Sequence, residues 1–90
     1  EVLMPVATRT LTIEAPEGLH ARPATAFAKA ATESGAKVTV AAGERPAVNA
    51  SSVLMIMALG VKKGDVVTLT VDGADPEVLA DRLSGVLLEH

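Results

Sequence analysis

A change of hydrophobic period near residue 21 is the feature that most constrains the fold of this chain. Between Thr8 and Ile13, apolar residues alternate with threonines, which is the pattern of a half-buried β-strand. From residue 21 onward, the apolar residues follow the spacing of an amphipathic helix of about four turns. The residues at this spacing are Ala24, Phe27, Ala28 and Ala31. Because each element has one apolar face, the two are predicted to pack against each other as layers of one core.

The composition limits how thick that core can be. Of the 90 residues 49% are apolar, yet Phe27 is the single aromatic residue, so small aliphatic side chains must fill the interior. A chain of this length is expected to form one domain with closely spaced layers. We expect that domain to span residues 1–90, with a leader at 1–6 and a tag-derived ending, "LEH", at 88–90.

Three further strands are indicated by alternation later in the chain. Val38 and Val40 share one side of a second strand, and Gly43 marks a turn into a third. Pro46 has no amide hydrogen to give to a neighbouring strand, so the third strand is predicted to lie at a sheet edge. The fourth strand has apolar residues at every second position. These residues are Val67, Leu69 and Val71.

Two further helices complete the pattern. The continuous apolar run from Val53 to Leu59 suits a buried strand or a short helix, but Ser51 or Ser52 as N-cap and a closing Gly60 favour the helix. A last helix is predicted after Asp75, which suits the N-cap position. Its buried stripe is predicted to be Leu79, Leu83, Val86 and Leu87. The resulting order, βαββαβα, predicts an α+β fold in which helices cover one side of a sheet.

Charge and composition exclude several classes of function. A net charge of −3 and a single aromatic residue argue against a nucleic-acid binder, which needs a basic face and stacking rings. The absence of cysteine removes disulfides, thiolate metal sites and thiol catalysis, and it fits a cytoplasmic protein. The longest apolar stretch is too short to span a bilayer, so no membrane insertion is expected. We expect neither a metal nor a cofactor.

His20 is the residue whose position most strongly indicates chemistry. It stands in "GLHARPA", directly before a helix, where unpartnered amides and the positive end of the dipole favour an anion. Neutral imidazole is a nucleophile, and a phosphoryl group on it would meet those amides and the guanidinium of Arg22. The simpler hypothesis is a capping or surface histidine. A histidine cluster for metal binding would need a second credible histidine and a serine hydrolase a nucleophile elbow, and the sequence offers neither.

Two motifs and the order of elements together resemble a known family. "GLHARPA", and "VNASSVLMIMALGV" followed by "KKGDVVTLTVDGADP", are similar to HPr, the histidine-containing phosphocarrier family of the bacterial phosphoenolpyruvate-dependent sugar phosphotransferase system. The resemblance runs from Thr8 to Val86. It implies an open-faced sandwich with a four-stranded antiparallel sheet, helices on one face, and the third strand at an edge.

The resemblance also implies roles for individual residues. His20 would be phosphorylated on Nδ1, Arg22 would steady the phosphoryl group, and the backbone amide of Ala21 would help to hold it. The implied donor is enzyme I, which takes the group from phosphoenolpyruvate, and the implied acceptors are sugar-specific IIA proteins or domains. The chain would then be a protein substrate rather than a stand-alone turnover enzyme. A carrier that presents one face to successive partners is expected to be a monomer.

A regulatory and a docking region are implied around the second helix. Ser52 matches a serine that a dedicated kinase phosphorylates in many Gram-positive relatives, although the residue pattern alone explains it equally well as an N-cap. The docking positions implied by the resemblance are Thr25, Lys29, Val53, Leu54 and Met57. From the residues alone, the apolar ones are equally typical of a core, and Lys29 of a solvated charge.

Several alternatives and departures remain at this point. The chain could be an HPr-like module of a larger phosphotransferase polypeptide, a regulatory protein acting through phosphorylation of Ser52, or a small-molecule-binding α+β domain. The turn between Gly43 and Val48 is longer than is usual in the family, and we expect this to alter an edge loop more than the chemistry. Glu17 also departs from the family, because it places a negative charge close to His20 in sequence.

Overall fold

Within the described residues, seven elements appear in the predicted order, βαββαβα. The structure is a computed structural model that describes residues 6–14, 16, 18–19 and 21–88. The strands are β1 (Val6–Thr12), β2 (Lys37–Ala42), β3 (Val48–Asn49) and β4 (Val66–Asp72). The helices are α1 (Ala21–Ser34), α2 (Val53–Ala58) and α3 (Pro76–Leu88). The ambiguous apolar run is therefore a helix, as predicted, and the α+β class is confirmed.

The four strands form one antiparallel sheet in the order β1-β4-β2-β3. β4 lies between β1 and β2 and pairs with β1 along its whole length, so that Thr12 at the end of β1 lies opposite Val66 at the start of β4. The loop after β1 and the loop before β4 therefore meet at one end of the sheet. β3 is confirmed as an edge strand, but it has two residues and Pro46 lies in the loop before it.

The core lies between one face of the sheet and the helices. On β4, Val67, Leu69 and Val71 are fully buried, while the residues between them are half-buried, which confirms the predicted alternation. The predicted apolar stripe of α1 is buried along its length, and Phe27 has no exposed surface. Gly35 ends this helix with a φ of 74°, the left-handed conformation that glycine adopts without strain.

The last helix differs from the prediction in two details. Its buried residues are Ala80, Leu83 and Leu87. Leu79 and Val86, which were predicted in the stripe, are only partly buried and pack at its margin. Asp75 precedes the first helical residue as predicted, but its φ of 49° is left-handed, whereas an N-cap residue is usually extended. Its backbone carbonyl nevertheless accepts the amide of Leu79 at 3.1 Å.

Arg9 connects β1 to the first turns of α3. Its Nη2 donates to Oε1 of Glu77 at 2.6 Å, and its Nε donates to Oδ1 of Asp81 at 3.1 Å. Hydrogen bonds to these two carboxylates raise the pKa of Arg9 above its ordinary value, so this cation stays charged throughout the physiological range. None of the helices in the described part of the chain has the length and apolar content needed to cross a bilayer.

Truncation of the one aromatic side chain should severely destabilise the core. Phe27→Ala is expected to lower the free energy of unfolding by about 3–5 kcal/mol, because the ring is fully buried and its removal leaves a cavity. Val78→Ala on α3, where the side chain is 62% exposed, is the control and should change stability by less than about 0.5 kcal/mol. Urea unfolding measures both, and similar losses in the two variants would contradict the layered core.

Candidate functional site

The loop between β1 and α1 is anchored just before the helix begins. Leu19 is buried, and its backbone amide donates to the carbonyl of Val61 at 3.1 Å. His20 and Glu17 lie outside the described residues, as does Ala15, whereas Leu19 and Ala21 on either side of His20 are described. The anchor therefore fixes the backbone immediately before the sequence-predicted phosphorylation residue.

Gly18 makes the close approach of the two segments feasible. Its φ is 69°, and a Cβ at this position would lie 2.2 Å from the carbonyl oxygen of Val61 and 2.7 Å from the Cα of Lys62. Any side chain would therefore push the loop away from this segment, and the positive φ would add backbone strain. Gly18 is thus required both for its conformation and for its lack of a side chain.

Further backbone hydrogen bonds join the same loop to the turn before β4. The amide of Ile13 donates to the carbonyl of Asp65 at 2.9 Å, and the amide of Gly64 donates to the carbonyl of Ile13 at 2.6 Å. Within the turn, Oδ2 of Asp65 accepts the amide of Lys62 at 2.9 Å. The segment from Val61 to Asp65 therefore holds the site loop through backbone hydrogen bonds.

The start of α1 provides an environment suited to an anion. The first backbone amides of any helix lack carbonyl partners within the helix, and they form the positive end of its dipole. The first turn of α1 contains no acidic residue. Ala21 and Arg22 are exposed there, while the ring of Pro23 is buried against the core. Pro23 needs no amide hydrogen bond at this position, so it anchors the helix start without disturbing it.

Ser52 caps the second helix, as one of the two serines was predicted to do. Its backbone is extended, with φ −107° and ψ 112°, and its hydroxyl oxygen accepts the amide of Met55 at 3.3 Å. The amide of Ser51 is instead bound by Oδ1 of Asn49 at 2.8 Å. At the other end, Gly60 closes the segment with a φ of 65°, and its amide donates to the carbonyl of Met57 at 3.1 Å.

One side of α2 faces solvent although it is apolar. Ile56 is fully buried and fixes the helix to the core, whereas Leu54 is 81% exposed. We call Leu54, Met55 and Met57 the apolar patch. Sequence reasoning singled out Leu54 and Met57 but missed Met55, which at 46% exposed is slightly more open than Met57 at 42%. Helical geometry was the available signal, because Met55 and Met57 are each rotated by about 100° from Ile56 and so lie away from its buried direction.

The remaining predicted contact positions divide into two groups. Val53 is half-buried and packs against the core, so it contributes less surface than its neighbours on α2. Thr25 and Lys29 are both exposed on α1, one helical turn apart. Exposure makes these two side chains available to a partner.

The fold and the site define a class of small α+β domains in which a loop is fixed at the start of one helix and an apolar side of a second helix is exposed to solvent. A family model described as the PTS HPr component phosphorylation site matches residues 7–88. The chain belongs to the HPr family, and it is a phosphocarrier of the phosphotransferase system. The family resemblance of the sequence motifs is confirmed.

Similarity to individual proteins supports this family assignment. The phosphocarrier protein HPr of Streptomyces coelicolor is 38% identical over 84 residues, which are 93% of this chain and 90% of that protein. A multiphosphoryl transfer protein of Xanthomonas campestris is 41% identical over 76 residues, which are 84% of this chain but 9% of that protein. The histidine-containing phosphocarrier protein of a Mycoplasma has a similar structure, with a TM-score of 0.83, 31% identity, and coverage of 90% of this chain and 91% of that one.

Adding one methyl group at Gly18 should separate the two reasons for a glycine there. Gly18→Ala is expected to cost about 2–5 kcal/mol, because backbone strain and a clash with Val61 act together. Gly35→Ala is the matched control, since its φ of 74° is similar but a Cβ there would meet no atom within 4 Å, and it should cost about 1–2 kcal/mol. Equal losses in urea unfolding would show that the contact with Val61 is unimportant.

Proposed function

We propose that the chain accepts a phosphoryl group on Nδ1 of His20 from enzyme I, which is charged by phosphoenolpyruvate, and passes it to sugar-specific IIA proteins or domains. The observation that supports this most is the family match over residues 7–88, because the matched model describes a phosphorylation site. The locked backbone at Gly18 and Leu19 adds support, since it holds the loop directly before His20. Such a carrier acts in the cytoplasm and as a monomer.

The proposed transfer uses groups that are close to one another in sequence. The lone pair of neutral Nδ1 attacks phosphorus, and the new P–N bond forms as the bond to the donor breaks. The negative phosphoryl oxygens are stabilised by the amide of Ala21, the positive end of the α1 dipole and the guanidinium of Arg22. The group then moves on when a nucleophile of the acceptor attacks phosphorus. The energetic P–N bond breaks in this step, and His20 returns to its neutral form.

Phosphorylation by a cognate enzyme I tests the proposal directly. After incubation with phosphoenolpyruvate and catalytic enzyme I, intact-protein mass spectrometry should show one added phosphoryl group that is lost in acid and retained in base. His20→Ala should show none. Arg22→Ala should be phosphorylated about 10- to 100-fold more slowly, because one charge-assisted hydrogen bond to the phosphoryl group is lost. No gain in mass in the wild type would refute the proposal.

We propose that enzyme I and the acceptors bind to the side of the molecule that carries α2. The apolar patch offers contact area without charge, and flexible Met side chains can fit more than one partner. Thr25 and Lys29 on α1 would extend this surface, with Val53 contributing at its buried margin. Successive partners would then use the same face, so the carrier leaves one before it meets the next.

Phosphorylation of Ser52 by a serine kinase would regulate this docking. The added phosphate would place about two negative charges beside the apolar patch and weaken binding of enzyme I. Ser52→Asp should raise the KM of enzyme I for this carrier about tenfold, roughly 1.4 kcal/mol, while stability changes little because Asp is also a good N-cap.

Two further variants separate charge from capping. Ser52→Ala should lose about 1 kcal/mol of stability with the cap but leave the KM close to that of the wild type. Ser51→Asp places the same charge one residue earlier, outside the capping position, and should raise the KM less. If Ser52→Asp leaves the KM unchanged, Ser52 is only a helix cap.

A larger phosphotransferase polypeptide is the second candidate context. The match to 9% of a multiphosphoryl transfer protein supports it, because a domain of this kind occurs there within a much longer chain. The two contexts are distinguished by whether the open reading frame that encodes these residues also encodes further phosphotransferase domains. The proposed chemistry at His20 is the same in both.

A further inference from the structure

The longer turn between β2 and β3 sends one side chain to the end of α2. Nη1 of Arg45 donates to the carbonyl of Leu59, the residue that ends this helix. The same nitrogen lies 3.9 Å from where a Cβ would sit on Gly60. The guanidinium thus covers the turn that closes α2, although Arg45 and Leu59 are 14 residues apart in sequence.

The backbone that carries Arg45 is itself held in place. The amide of Arg45 donates to the carbonyl of Ala42 at 3.1 Å, and the amide of Gly43 donates to the carbonyl of Val66 at 3.2 Å. Gly43 has a φ of 60°, which allows the sharp turn, and Pro46 fixes the backbone just after Arg45. Because the base of the loop is ordered, less conformational entropy is lost when the long side chain reaches the helix.

The helix that receives this contact depends on tertiary anchors. α2 has six residues, and helices this short are unstable alone. Ser52 anchors its first turn and Ile56 its buried side. Its last turn contains no basic residue of its own, and Arg45 brings a cation from another segment to the negative end of its dipole.

We propose that Arg45 is a positioning residue for partner docking. By holding the last turn of α2, it fixes the direction in which the apolar patch is presented to enzyme I and to the acceptors. The inference deepens the proposed function and rests on it. Arg45 acts through its contact with the end of α2, so its loss changes partner recognition and leaves the residues assigned to the transfer step unchanged.

Enzyme I kinetics with this protein as phosphoryl acceptor provide the first test. Arg45→Ala should raise the KM about three- to tenfold and leave kcat within twofold, because the patch is misplaced while the groups at His20 are unchanged. Arg45→Lys keeps the charge but loses the planar guanidinium, so it should restore the KM only in part. Lys63→Ala is the matched control, since it removes an exposed cation from the turn after α2, and it should leave the KM near that of the wild type.

Amide hydrogen exchange provides a second test that needs no phosphorylation. The amides of Leu59 and Gly60, which close α2, should exchange faster in Arg45→Ala and at the wild-type rate in Lys63→Ala. An unchanged KM in Arg45→Ala would overturn the positioning role, whether or not exchange is faster. An equal rise of the KM in Lys63→Ala would also overturn it, by showing that net charge alone matters. A wild type that accepts no phosphoryl group would instead refute the function on which the inference rests.

Discussion

The contact of the Gly18–Leu19 backbone with Val61 is the constraint on which the rest of the arrangement depends. It places the loop before α1 directly on the segment that leaves α2, with no side chain between the two backbones. The helix start and the segment that follows the apolar patch are thereby joined by direct backbone contact. The proposed function depends on this contact, because a partner docked on α2 would have to find the reactive group at a fixed position.

The two helices that frame the site are held in contrasting ways. α1 is long, its apolar stripe is buried along its length and its glycine stop is local, so it is held mainly by packing of that stripe on the core. α2 is short and leaves apolar side chains in solvent, so it relies on a cap, one buried isoleucine and a guanidinium from another loop. Apolar side chains that face solvent add little to the stability of the helix, and contacts at both of its ends offset that loss.

Local patterns in the sequence were sufficient for the elements and for most of the core. Alternation located the strands, helical spacing located α1, and Ser52 and Gly60 correctly marked the ends of α2. Such local patterns could not predict contacts between segments that are distant in sequence. The clash that excludes a side chain at Gly18 depends on Val61, and the role of Arg45 depends on Leu59, and neither pairing follows from periodicity. The longer turn was expected to alter an edge loop more than the chemistry, and one of its side chains contacts the end of the helix that carries the apolar patch.

The position of β4 in the sheet has a consequence for synthesis on the ribosome. β1 and β2 are not neighbours, because β4 lies between them and forms ladders with both. Until residue 72 has left the exit tunnel, the nascent chain can pair only β2 with β3, and two residues of β3 make a weak hairpin. Such non-local pairing gives a high contact order and delays folding until late in translation. β1 is therefore synthesised first among the strands but waits for almost the whole of the domain before its only neighbour in the sheet exists.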